Sequence, residues 1–153
     1  TVVPLLGRGM LNSQEARHVV DRRLQPRMCT GYGIRTLSSD NPGYAPLGYH
    51  VGSVWAHDTA LCADGMRREG FVTQAAAVAS GLLRAAEGFR YRLPELFGGQ
   101  PAPGHAVHGE SGVWPPVPYP AACRPQAWSA ASAAIVWGLV STARTPHPQS
   151  SSS

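Results

Sequence analysis

Leu11-Asn12-Ser-Gln-Glu15-Ala16-Arg17-His-Val19-Val20-Asp21-Arg22-Arg-Leu24-Gln-Pro26 is the stretch on which the fold turns. Asn12 can accept hydrogen bonds from the free N–H groups of a first helical turn, and Glu15 three positions on completes a reciprocal capping box. Leu11 and Ala16 stand where an apolar staple across that cap would form. Ala16, Val19, Val20 and Leu24 recur at helical spacing, with Arg17, Asp21 and Arg22 turned outward. Pro26, which lacks an N–H, stops the helix. Three further helices follow from the same reading. One runs from about Ser53 to Arg68, capped by Ser53, with Val54, Ala60, Leu61 and Met66 as its apolar face and Gly70 as its end. One runs from about Val72 to Phe89, so rich in alanine that burial on more than one side is expected. The last runs from about Gln126 to Leu139 and carries Trp128, Ile135 and Trp137.

Between these helices lie Gly/Pro-rich stretches. Residues 27–52 form a structureless run of a length uncommon in compact domains unless it is functional or disordered. Tyr32, Tyr44 and Tyr49 favour an ordered loop, with Arg35 and Asp40 holding it together rather than touching a ligand. Residues 90–125 show no sustained period. Residues 1–141 therefore read as one helical unit, and 142–153, ending in four serines, as a disordered tail. The class is all-α, with long aromatic loops to carry a site.

Composition narrows the options. The 153 residues are 43% hydrophobic but only 14% charged, and their 13 basic residues are all arginine. The net charge of +4 is spread along the chain, with no patch or stripe of the kind nucleic-acid binding needs. Cys29, Cys62 and Cys123 form no CxxC pair, so neither a disulfide framework nor a zinc site is indicated, and a reducing, cytoplasmic setting fits. Cys62 and Cys123 read as small buried hydrophobes. No run approaches a membrane span, and no secretory leader is visible. A first residue of Thr rather than Met suggests a piece of a longer chain.

Several chemistries are poorly supported. Gly31-Tyr-Gly33 lacks the third glycine of a dinucleotide fingerprint, and a chain without lysine has no P-loop. Gly109-Glu-Ser111-Gly112 is no nucleophile elbow. His50, His57 and Asp58 match no metal-ligand spacing, so no metal or other cofactor is expected. What remains are three clusters that join flat rings to hydrogen-bonding groups. They are Gly33 to Asn41; Tyr49-His50-Val-Gly-Ser-Val-Trp55-Ala-His57-Asp58; and Arg92-Leu-Pro-Glu95-Leu-Phe with Tyr119-Pro-Ala-Ala-Cys123-Arg-Pro-Gln126-Ala-Trp128. Sugars need that mixture, because rings stack on C–H faces while polar groups bind hydroxyls. Ordinary cores show it too: Trp55 suits packing as well as stacking, and Asp58 could simply face a helix N-terminus.

The runs GYGIRTLSSDNPGYAPLGYHVGSVWAHDTALCADGMRREGF, RLPELF and YPAACRPQAW resemble the C-terminal part of bacterial glycogen-debranching-enzyme-like proteins. These are six-hairpin, (α/α)6-toroid glycoside hydrolases, alongside amylo-α-1,6-glucosidases and mannosylglycerate-hydrolase-like domains. The resemblance covers roughly residues 11–140. It implies hydrolysis of an α-glucosidic bond with inversion, with Glu95 as the general base and an aspartate upstream of Thr1 as the general acid. The family's YHNGSVWPHDNAL pattern is matched at Tyr49, His50, Gly52, Ser53, Val54, Trp55, His57 and Asp58. Val51, Ala56 and Thr59 depart from it, and Val51 removes a polar side chain near the sugar. The implied substrate contacts are Tyr49, His50, Trp55, His57, Asp58, Gln126 and Trp128. The implied partners are an α-glucan or related oligosaccharide and the remainder of the parent barrel.

Twelve helices of about 11–12 residues with connections of about 4–6 need roughly 200 residues, so four helices make about a third of such a toroid. The face where further helices would pack is then expected to expose Trp137 and the alanine-rich helix. The alternative from another class is a non-catalytic, carbohydrate-binding or interaction fragment that uses the same aromatics.

Overall fold

The computed structural model describes residues 6–123 and 127–143. Among them the chain forms α1 (Ser13–Leu24), β1 (Val54–Trp55), α2 (Ala56–Arg68), α3 (Val72–Gly88), β2 (Leu96–Phe97) and α4 (Ala127–Ala143). The fold is all-α apart from one two-stranded pairing, as a part of a helical-hairpin glycosidase fold would be.

The cap of α1 forms as its sequence dictates. Asn12 Oδ1 accepts from the N–H groups of Gln14 and Glu15 at 3.0 and 2.9 Å, and Glu15 Oε2 accepts from Asn12 N at 2.9 Å. Replacing such a cap by alanine costs about 1 kcal/mol. Asn12→Ala should therefore lower the urea midpoint by that equivalent with an unchanged m-value. An unchanged midpoint would show that the box adds nothing.

The start of α2 differs from expectation. Ser53 does not cap it, because its hydroxyl donates to Tyr49 O at 2.7 Å and its carbonyl accepts from Thr36. The hydroxyl is thus committed to the preceding loop. The helix begins three residues later, with Trp55 in the cap position and no side-chain cap bond. Its other end is as read: Gly70, at φ +89°, donates its N–H to Arg67 O at 3.0 Å.

Helices α2, α3 and α4 pack on one another around Ala60, Ala63, Met66, Ala75, Ala79, Leu82 and Val136. Ala16 and Val20 of α1 join the same cluster. Small side chains let these backbones approach closely. Gly81 shows the limit, since a Cβ there would lie 2.8 Å from Gly31 O, so α3 is seated directly on the loop. The alanine side of α3 is therefore buried rather than open. Trp137 is 72% exposed, as expected, with Leu83 and Tyr91 exposed near it around a hollow between α3 and α4. Helix α4 runs to Ala143, and residues 144–153 lie outside the described residues.

Both long connections are ordered through single-residue pairings. Arg35 bridges Val54, Val54 pairs with Phe97, Trp55 pairs with Leu96, and Phe97 bridges Pro118, all antiparallel. Arg35 ties the knot. It is 1% exposed; Nε donates to Gly99 O, Nη1 to Pro26 O and Arg27 O, and Nη2 to Glu110 Oε1 at 2.8 Å. Tyr44, whose ring lies 5.4 Å from the guanidinium, donates its hydroxyl to the same Gly99 carbonyl. Gly99 admits no side chain, because a Cβ there would meet Gly52 O at 1.9 Å. Arg27 pairs with Asp40 at the surface.

The cysteines correct one expectation. Cys62 is buried, and its thiol is pushed up to about 11 by loss of solvent, but Cys123 is exposed. It sits in the loop that follows the Phe97–Pro118 bridge rather than in a helix–helix seam.

Candidate active site

Residues 45–53 fold into a tight loop: Gly48 N donates to Ala45 O and Ala45 N to Val51 O, both at 2.8 Å. Two side chains then converge on the Tyr49 carbonyl, Ser53 Oγ at 2.7 Å and Trp55 Nε1 at 2.9 Å. A buried or half-buried indole N–H needs a partner, and this one fixes the ring. His50 stacks on Trp55 at 5.1 Å with planes 10° apart, and Tyr49 meets the indole edge-on at 4.8 Å. Tyr49 and His50 contact each other at 4.5 Å.

Glu95 reaches this cluster from the paired strand. It precedes β2 directly, so the Trp55–Leu96 register sets it beside the start of α2. Its own N–H donates to Cys123 O at 3.3 Å, while Gly98 N donates to Val117 O at 2.8 Å. Residues 95–98 are thereby held between β1 and the 117–123 segment, which brings Tyr119 to 6.0 Å from Tyr49. The Tyr49 phenol is raised above its ordinary value, first by desolvation and next by the negative charge of Glu95. It therefore stays protonated at neutral pH, as an O–H donor within electrostatic reach of the carboxylate. Glu95 is half-buried and makes no ion pair among the described residues.

A second group of predicted residues lies around Trp55. Asp58, in the first turn of α2, lines a hollow of about 250 Å³ together with Trp55, Arg23, Thr36 and Leu37. A larger hollow, of about 590 Å³, shares Arg23 and Ser38 with it and is walled by Arg22, His18 and Asn41. There the Ser38 hydroxyl and the Arg27 guanidinium hold the Asp40 carboxyl below the usual carboxylate range. No group of three His, Cys, Asp or Glu side chains among the described residues is placed to hold a metal.

Of the residues read from sequence, Tyr49, His50, Trp55 and Glu95 come together, and Asp58 stands at the hollow that Trp55 also lines. His57 is half-buried in the first turn of α2. Gln126, and the side chain of Trp128, lie outside the described residues. Tyr119 is not among the contacts that the resemblance implies, although it stands in the third ring-bearing cluster and opens the YPAACRPQAW run.

A family model described as the mannosylglycerate hydrolase MGH1-like glycoside hydrolase domain matches residues 1–96. That span takes in α1, the long loop, the Tyr49–Asp58 cluster, α2, α3 and Glu95, and it stops short of Tyr119. Comparison with curated proteins and with solved structures gave no match. The match covers well over half the chain and agrees with its helical architecture. The chain belongs to the mannosylglycerate hydrolase MGH1-like family of glycoside hydrolase domains.

Proposed function

We propose that this glycoside hydrolase domain acts on an α-glucosidic linkage of a glycogen-type or related glucan, as in debranching, and hydrolyses it with inversion. The observation that carries the proposal is the half-buried Glu95 set against Tyr49 and the Trp55 stack. Aromatic faces hold the ring of a pyranose, and the carboxylate at their edge takes a proton from water attacking the anomeric carbon. A second carboxyl, across the sugar, protonates the leaving oxygen; in the family resembled, this is an aspartate encoded earlier in the chain than the base. In an inverting pair the two groups stand roughly 6.5–9.5 Å apart, leaving room for the water. The three free cysteines support work in a reducing, cytoplasmic setting. No helix among the described residues is long and apolar enough to cross a membrane. The exposed Trp137 face is where further helices of an (α/α)6 toroid would pack.

A second substrate reading comes from the arginine-lined hollow. Arg22 and Arg23 make no ion pair among the described residues and border the cavity that continues to Trp55 and Asp58. A glycoside carrying a carboxylate, as the name of the matched family model suggests, would find its counter-charge there. One experiment tests the activity and separates the substrates. Proton NMR of the full-length protein with panose or with mannosylglycerate should show a first-formed sugar of inverted anomeric configuration from one of them. Retained configuration would reject the mechanism, and no product from either would reject the activity.

A further inference from the structure

We propose that Tyr119 is a sugar-contacting, specificity-determining residue, closing with Tyr49 and Trp55 an aromatic wall beside Glu95. The inference rests on the glycosidase reading above and adds a residue that the family match does not reach. Four tyrosines carry the argument. Tyr32 donates its hydroxyl to Val113 O at 2.6 Å and Tyr44 to Gly99 O at 3.1 Å, as packed tyrosines do. Tyr49 and Tyr119, whose rings lie 6.0 Å apart at 58°, form no such bond with any described residue. Two neighbouring phenols whose O–H groups stay uncommitted among the described residues, with Tyr49 within electrostatic reach of Glu95, are what a polyhydroxylated ligand requires.

Placement supports the same role. Pro118 and Pro120 flank Tyr119 and restrict its backbone. Val117 and Cys123 are tied to the Glu95 segment by the Gly98 and Glu95 N–H groups, and Ala122 N donates to Tyr119 O at 3.2 Å. The ring is therefore carried on the strand-like segment that also positions the carboxylate, so it keeps its distance from Glu95 without a bond of its own. Tyr119 is half-buried.

The test is calorimetric titration of the full-length protein with panose and maltotriose, using wild type, Tyr119→Ala and Tyr119→Phe. Tyr119→Ala should weaken binding about ten-fold or more and Tyr119→Phe a few-fold, since the flat face remains but the hydroxyl is lost. Should the alanine variant fail to fold, Tyr119→Leu carries the test, because it keeps bulk but neither flat face nor hydroxyl. Wild-type affinity in the folded alanine or leucine variant overturns this inference and leaves the glycosidase reading standing. A wild-type protein that binds neither sugar overturns the glucan reading and this inference with it.

Discussion

Glu95→Gln in the full-length protein is expected to lower kcat by about a hundred- to ten-thousand-fold while sugar affinity changes little. The amide keeps the shape and the hydrogen-bonding reach of the carboxylate, but it cannot take the proton of the attacking water. An interaction made only in the transition state lowers kcat and kcat/KM together, whereas lost ground-state binding raises KM. Single-turnover rates and calorimetric affinities on the same preparation separate the two. The fold has little reason to respond, because Glu95 is half-buried, makes no ion pair among the described residues, and is tied to the Cys123 carbonyl through its backbone N–H, which the substitution leaves in place. A variant with unchanged turnover would mean that another group activates the water.

The second large effect is structural. Arg35→Met should destabilise the domain by about 3–5 kcal/mol, as removal of one partner of a buried ion pair does. Four of the five guanidinium N–H groups are engaged, three with the backbone carbonyls of Pro26, Arg27 and Gly99 and one with Glu110. The Arg35 side chain is fully buried, and that of Glu110 is 17% exposed. Methionine fills the volume but strips Pro26 O and Glu110 Oε1 of the donor they use and takes one of two donors from Arg27 O and Gly99 O, and a stranded acceptor costs more than a made bond contributes. Arg35→Lys should recover little, since a point charge cannot span four acceptors set in a fork. Urea denaturation with a common m-value measures the loss. A variant within 1 kcal/mol of wild type would show that the loops hold together without the knot.

The consequence for the site is direct. Arg35 pairs with Val54 through the backbone and with Gly99 through its side chain, so it grips both strands that set Trp55 against Glu95. Loss of Arg35 should therefore loosen the catalytic geometry as well as the fold.

What could be read from sequence divides by the range of the forces involved. The α1 cap is written in Asn12 and Glu15, three positions apart, and the structure reproduces it. The helical bodies of α2, α3 and α4 follow from local apolar spacing. The start of α2 does not, because Ser53 had two possible tasks and a carbonyl four residues upstream took its hydroxyl. The strands were invisible, since two residues carry no alternation to read and each is fixed by partners about 40 residues away. Arg35 is legible as a residue that holds the long loop together, but its partners Gly99 and Glu110 lie 64 and 75 residues away and follow only from how the loops close.

The site shows the same division. Tyr49, His50, Trp55 and Asp58 are near one another in sequence, and a resemblance could collect them in one reading. Glu95 and Tyr119 come from segments that meet the cluster only through the Val54–Phe97 and Phe97–Pro118 pairings. Glu95 was recovered because a family pattern marked it. Tyr119 opens a run that the resemblance includes but carries no role from it, and its meaning rests on a hydroxyl uncommitted among the described residues where Tyr32 and Tyr44 use theirs.

Azide rescue of Glu95→Ala in the full-length protein decides whether Glu95 activates the water. Azide needs no base, fits the space vacated by the carboxylate and its water, and attacks from the same face. Restored turnover with a β-glycosyl azide product from an α-linked substrate is the predicted result. A protein that azide leaves inactive, or an α-configured azide, would contradict the assignment of Glu95.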